Sequence, residues 1–322
     1  MACGGPPKLK PQQPLGAKLT PIAKRPAPAP PVRAVTIGQE QVDAAVAELR
    51  AAAKSPDGMI RAHAIEAMRL TTPARFEREI IAGLTDPAPV ARIAAAMAAG
   101  ELKLSAAHPT LLTMVGDEDD SVQIATRFAL HRLGDTRFSR DLELFVQSDK
   151  ARVRGMTVLA LGLLEEPSTM RLLRPMQGDR DALVRLQVAE AMWRMGNKQG
   201  LANLAAAAVS AYPDDQMIAF LALAQPRDRR IIEHVRGGLV ADYEEARLVA
   251  ARAMGMLGSD EGYTIAAAGA KSVDPRKRTL AALAFGAIGR ADAIDQVGPL
   301  VKDANADVRI AGASAVIQLG GR

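Results

Sequence analysis

Cysteine is nearly absent. Cys3 is the only one in 322 residues, which excludes an internal disulfide and any metal site built on paired thiolates. Aromatic residues make up 3% of the chain, with one tryptophan, three tyrosines and six phenylalanines. Ala, Leu, Val and Met therefore carry the apolar load, and that mix suits close-packed helices. Long apolar runs are missing too. The Ala-rich stretches are broken by charges at helical spacing, and none approaches the ~18 residues that a membrane-spanning helix requires. The histidines, His63, His108, His131 and His234, never stand four apart, so no helical pair is offered to a metal. No Walker loop, nucleophile elbow or dinucleotide-binding glycine motif occurs. No cofactor is expected.

Acids are absent from residues 1–34, which hold Lys8, Lys10, Lys18, Lys24, Arg25 and Arg33, a charge of +6. The whole chain carries +5, so the remainder is close to neutral, −1 by difference. The pI near 9.5 is thus a property of the tail, and the folded body makes a poor case for nucleic acid. Nine of the twenty prolines also fall in this stretch, which ends in Pro26-Ala27-Pro28-Ala29-Pro30-Pro31. Residues 1–35 read as a disordered, Pro-rich, basic tether that builds no core of its own. Its start, Met1-Ala2-Cys3-Gly4-Gly5, resembles the end of a bacterial lipoprotein signal without the charged and apolar regions that precede such a cysteine. Two expectations stand side by side: a cytoplasmic chain as it begins here, or, with a longer start, an envelope protein anchored through lipidated Cys3, the one route to a membrane.

What the sequence has in abundance is itself. The segment Val308-Arg309-Ile310-Ala311-Gly312-Ala313-Ser314-Ala315-Val316-Ile317-Gln318-Leu319-Gly320 returns in steps of 31 residues, with starts at 277, 246, 215, 184, 153, 122, 91 and 60. Seven positions after each start stands an alanine: Ala67, Ala98, Ala129, Ala160, Ala191, Ala222, Ala253, Ala284 and Ala315. Strict self-similarity at such a period marks a solenoid. Within each copy apolar residues recur at helical spacing, as Val308, Ala311, Gly312, Ala315, Val316 and Leu319 do. A second helix fits between copies, opened by signals such as Thr72-Pro73 and Glu166-Pro167-Ser168. Asp or Pro marks the turn before most repeated helices, and Gly134, Gly196, Gly258, Gly289 and Gly320 are placed as C-caps. Copy six departs from the pattern, with Asp215, Gln216 and Pro226-Arg227, and predicts a bend.

The pattern Asp, Val-Arg, alternating Ala, then Leu-Gly, as in Asp307-Val308-Arg309 through Leu319-Gly320, resembles the HEAT-repeat family in its short bacterial, phycobilisome-lyase-type form. The resemblance covers residues 36–322. It implies an all-α, right-handed α-solenoid of about nine helix–turn–helix repeats, and it implies binding scaffolds more often than enzymes. One enzyme branch, deoxyhypusine hydroxylase, holds iron with repeated His-Glu pairs; no His-Glu dipeptide occurs here.

Two sets of residues are candidates for a role. Arg61, Arg92, Arg154, Arg185, Arg247, Arg278 and Arg309 share one repeat position, with Gln123 and Gln216 filling the other two. They read as a structural ladder bridging to turn aspartates such as Asp57, Asp181 or Asp274. Positions two and nine after each start point away from the first helix of the unit, and in the family resembled that side lines a concave groove. This strip is apolar, and Ile124, His131, Leu186, Trp193, Met217 and Leu248 are its candidate partner-binding residues. The alternative is that curvature buries the strip between repeats. The acidic run Asp117-Glu118-Asp119-Asp120 lacks the glycine and terminal glutamate of a calcium loop and fits a helix N-terminus. The reading that follows is a non-enzymatic scaffold binding another protein or a peptide segment on its concave face, with a free outer face on the last copy. The alternative is a lyase-type or DNA-glycosylase-like enzyme, with Glu190 as the acid nearest Trp193.

Overall fold

The computed structural model describes residues 26–321, and every regular element within them is helical. Cys3 and the basic residues up to Arg25 lie outside the described residues. The first three repeats are α1 (Gln39–Ala52) with α2 (Gly58–Leu70), α3 (Glu77–Gly83) with α4 (Pro89–Glu101), and α5 (His108–Thr113) with α6 (Asp120–Arg132). The next three are α7 (Leu142–Phe145) with α8 (Ala151–Leu164), α9 (Met170–Met176) with α10 (Ala182–Arg194), and α11 (Lys198–Ala207) with α12 (Pro213–Ala224). The last three are α13 (Ile232–Arg236) with α14 (Glu244–Met256), α15 (Tyr263–Gly269) with α16 (Pro275–Ile288), and α17 (Ile294–Val297) with α18 (Ala306–Gly320). The architecture is an α-solenoid. Its even-numbered helices are the repeated segment and stack side by side.

Local chemistry explains the boundaries. Asp57, Asp119, Asp181, Asp274 and Asn305 each accept a backbone N–H of the helix they precede, satisfying donors the first turn leaves unpaired. At the other end seven successive repeats put the same position in the left-handed region. Gly134, Gly196, Gly258 and Gly289 do so freely, while Lys103, Glu165 and Arg227 do so at φ near 55° and carry the strain of a Cβ there. Gly320 is different: it is the last residue of α18.

The repeated alanine is set by the neighbouring repeat as much as by its own. All nine of these alanines are buried. A Cβ on Gly100 would come 2.7 Å from the Cα of Ala129, and one on Gly162 would meet Ala191 at 2.7 Å. Position nine of one even helix thus presses on position seven of the next, and only small residues let the backbones approach so closely. Repeat six is where α10 and α12 touch least, with the unbroken α11 packed along α10.

The stack closes on itself. The last helix, α18, packs against α1 and α2, so α1 sits beyond α18 as each odd helix sits beyond the even helix before it. Arg309 Nε donates to Glu48 at 2.7 Å, His63 Nδ1 lies 2.8 Å from Asp307, and Gln318 donates to the Leu70 carbonyl at 3.3 Å. Val308, Ile310, Ile317 and Leu319 are buried, so the free outer face expected on the last copy is covered by the first repeat. The end of the Pro-rich segment crosses the outside of repeats eight and nine. Thr264 donates to the Ala27 carbonyl at 3.0 Å, Arg290 to the Pro31 carbonyl at 3.3 Å, and the Arg33 amide to Asp292 at 3.1 Å. Arg290 and Asp292, 7% and 4% exposed, pair beneath it at 2.8 Å, with Arg290 over the Tyr263 ring at 4.2 Å.

Candidate functional site

The arginine position behaves uniformly. In all nine repeats its side chain donates to backbone carbonyls five or six residues back, those of its own inter-helix turn. Arg61 reaches Ser55 and Pro56, Arg154 reaches Ser148 and Asp149, Arg309 reaches Asp303 and Ala304, and even Gln123 and Gln216 reach Asp117 and Ser210. Where the following repeat begins its turn with aspartate, a two-pronged ion pair forms 25 residues on: Arg61–Asp86, Arg92–Asp117, Arg154–Asp179 and Arg278–Asp303. Each arginine hydrogen bond holds its aspartate's pKa below the usual carboxylate range at Asp86, Asp179 and Asp303. The partners differ from those expected: Asp57, Asp181 and Asp274 cap helices. Arg185 and Arg247 have Ser210 and Ser272 at the corresponding positions; Arg185 keeps only its carbonyls, and Arg247 adds Glu244 at 3.7 Å. The acidic run of repeat three is absorbed in the same way, with Asp117 on Arg92, Asp119 on Arg152 and Asp120 on Lys150.

The apolar strip faces the next repeat instead of the opening. Ile124 and Leu248 are buried, and Trp193 is 9% exposed with its indole N–H donating to the Leu223 carbonyl at 3.2 Å. His131 lies 2.6 Å from Glu166 of the following repeat, and Leu186 is half-buried. A partner would have to part the stack to touch these residues. The face that is left open lies about 80° further round the helix at 100° per residue, at positions −1 and ten of most copies, with position six open where it carries Glu66, Leu159, Glu190, Leu221, Arg252 or Leu283 and covered at Met97, Phe128 and Ser314. It forms a lumen enclosed by the even helices.

The best-formed part of that lumen is a cavity of about 450 Å³. It gathers His63, Glu66 and Leu70 from α2, Met217 from α12 and Arg252 from α14. Leu280 and Leu283 of α16 and Asp307, Ile310 and Ser314 of α18 complete it. Repeats one and nine border it together only because α18 closes against α1 and α2. Of the six strip residues, Met217 alone lines it. A second space of about 340 Å³ adjoins it, also bordered by Arg252, Leu283 and Ser314. Apolar walls with a few convergent polar groups, in this size range, are what small-molecule sites look like. Glu190, the acid expected near Trp193, is engaged with Arg194 at 2.8 Å, whereas Glu66 has no ion-pair partner among the described residues. Among the described residues no three His, Cys, Asp or Glu side chains gather so as to hold a metal ion, and no helix is long and apolar enough to cross a membrane.

No protein-family profile matches the chain, and no curated protein matches it in sequence. Solved structures do. The complex of CpcE and CpcF of phycocyanin lyase from Nostoc aligns over 74% of this chain and 95% of its own, at 18% identity and a TM-score of 0.46. Human deoxyhypusine hydroxylase aligns over 78% and 99%, at 19% and 0.41. YibA of Escherichia coli aligns over 81% and 98%, at 15% and 0.35. These likenesses are to helical-repeat architecture. They correct one expectation: a lyase and a hydroxylase stand among the chains of similar architecture, so the reading of this chain as a non-enzyme is withdrawn.

Proposed function

We propose that the chain is a binding protein that holds a small, largely apolar ligand in the lumen, at the cavity between α2, α12, α14, α16 and α18. One observation carries this reading. Ring closure turns repeats one and nine into neighbouring walls, and beside repeat eight they enclose a space bordered by apolar side chains, Leu70 of α2, Leu280 and Leu283 of α16 and the edge of Ile310 of α18. Apolar surface of that kind stabilises a complex when a ligand covers it. The concave side expected from the sequence stays the binding side, but the protein or peptide partner gives way to a small ligand and the contact residues move round the helix. Nile red, a neutral apolar dye, tests it. Its emission should rise and shift to the blue with the native chain. It should not do so with Leu283→Trp, which fills the cavity, provided both melt alike. Equal emission from the two would place the dye elsewhere and remove the reading.

Chemistry on the bound ligand is a second reading, and Glu66 supports it. It is an acid on the cavity wall without an ion-pair partner among the described residues, and a lyase-type or glycosylase-type step needs such an acid. Glu66→Gln should then abolish turnover of a substrate while leaving its binding intact; unchanged turnover would exclude Glu66 from the step.

A further inference from the structure

Among the described residues, Arg252 is the one cation that borders both lumen cavities, and the fold does not pair it. It stands six positions after the start of its copy, on the open face of α14. The nearby Arg69 is held by Glu101 at 2.7 Å, and Arg194, at position ten of its copy, by Glu190 at 2.8 Å. Arg252 has no hydrogen bond and no ion pair among the described residues. Arg252 is half-buried, so water reaches only part of its surface through the opening. Desolvation accordingly lowers its pKa, Glu66 acts in the opposite sense, and Arg69 adds to the lowering. A guanidinium cannot escape this by giving up its proton, because its pKa lies far above neutrality. It stays charged and poorly solvated, an arrangement that costs free energy until an anion meets it.

The surroundings narrow the choice of anion. The other ionisable groups facing the cavity are His63, Glu66, Asp307 and Arg276. His63 and Asp307 are occupied with each other at 2.8 Å, and Arg276 is exposed at the mouth. Glu66 disfavours any ligand carrying more than one negative charge. The remaining lining is mostly apolar, with Leu70, Met217, Leu280, Leu283 and Ile310, and its two hydroxyls are engaged within the protein, Thr279 donating to the Pro275 carbonyl at 3.0 Å and Ser314 accepting from Gln318 at 3.4 Å. A planar guanidinium pairs best with a planar carboxylate, through two parallel hydrogen bonds.

We infer that Arg252 anchors the head group of an amphiphilic monocarboxylate whose hydrocarbon body lies against the apolar wall made by α2, α16 and α18. This rests on the lumen reading above and adds to it the charge and class of the ligand. Burying the pair also releases the constraint on Arg252, so binding should favour the acid over a neutral molecule of equal length.

Calorimetric titration of the full chain with decanoate, decanol and decylammonium tests the inference, on the native protein, Arg252→Met, Arg252→Lys and Leu283→Trp. Decanoate should bind the native protein at least tenfold more tightly than decanol, and decylammonium should not bind. The preference for decanoate should vanish in Arg252→Met, persist in part in Arg252→Lys, and all binding should go in Leu283→Trp. Arg252→Met without ligand should melt no lower than the native chain, since an unpaired charge has been removed. Equal affinity for decanoate and decanol would overturn the inference and leave the lumen reading in place. Failure of every probe to bind would overturn both. A markedly lower melting point for Arg252→Met would show a structural arginine and overturn the inference as well.

Discussion

Replacing Arg154 by methionine removes the most deeply buried rung of the ladder. Its guanidinium makes two bonds of 2.7 Å to Asp179 and donates to the Ser148 and Asp149 carbonyls at 2.8 and 3.1 Å. Both side chains are nearly covered, at 6% and 8% exposure. Methionine fills much of the space but leaves the carboxylate facing a thioether and two carbonyls without a donor. Breaking a deeply buried ion pair costs about 3–5 kcal/mol. This pair lies at the turn edge of the ring, beneath a thin layer of protein, and Asp179 keeps the Asp181 amide at 2.8 Å, so about 2–3 kcal/mol is the expected loss. Arg185→Met is the internal comparison. Arg185 occupies the same repeat position but is exposed and holds only carbonyls, at 2.7 and 3.4 Å, so its loss should stay below about 1 kcal/mol. Urea unfolding followed by Trp193 fluorescence measures both. The double variant Arg154→Met, Asp179→Asn should recover part of the loss, because the stranded charge is gone. A cost for Arg154→Met no larger than that for Arg185→Met would refute the view that the aspartate, more than the carbonyls, makes the rung strong.

Other consequences are as direct. Asp86, Asp179, Asp292 and Asp303 titrate lower in the folded chain than free aspartate, each chiefly through an arginine hydrogen bond. Their contribution is therefore complete above the unfolded value of about 3.9 and is lost as pH falls through the lower folded values. Stability measured down the acid limb should drop more steeply in the native chain than in Arg154→Met, and parallel limbs would contradict this. Trp193→Ala empties a site between repeats five and six and should cost about 3–5 kcal/mol by calorimetry; a near-neutral result would place the ring in the open after all. Glu165, exposed and held at φ 55°, should gain about 0.5–1 kcal/mol on replacement by glycine, read as a higher urea midpoint, and a loss would mean that its side chain does something useful there.

The repeats were legible because each of their determinants is local. The aspartate caps, the arginine folding back on its own turn, and the alanine at position seven act within one unit or between adjacent units, and the alanine recurs every 31 residues without exception. The ladder could be read as structural, but not its partners, since only the superhelix decides which turn aspartate lies 25 residues on from Arg154. The lumen was misplaced for a related reason. Position nine carries glycines and Trp193, which looks like a groove when only the first helix of each unit is used as a reference. The next even helix arrives on that side and covers it. Met217 lines the cavity although Ile124, Leu186 and Leu248 share its repeat position, since it stands in repeat six, where α10 and α12 touch least. Arg252 and Glu66 share a position filled elsewhere by Met97, Phe128, Leu159, Glu190, Leu221, Leu283 and Ser314; Arg252 is the one cation in that set, and that contrast was the available signal. Ring closure had none, because it is the sum of nine small rotations and no single residue encodes it.

Closure is the claim on which the lumen depends, and a disulfide tests it most directly. A Cβ on Gly320 would lie 2.7 Å from Val42 Cγ2, within bridging range of the Val42 Cβ, whereas an open solenoid holds its first and last helices apart. In a Cys3→Ala background, Val42→Cys with Gly320→Cys should oxidise to a monomeric, internally bridged chain, recovered as one cross-linked peptide after digestion. Two free thiols, or bridges only between separate chains, would contradict the ring.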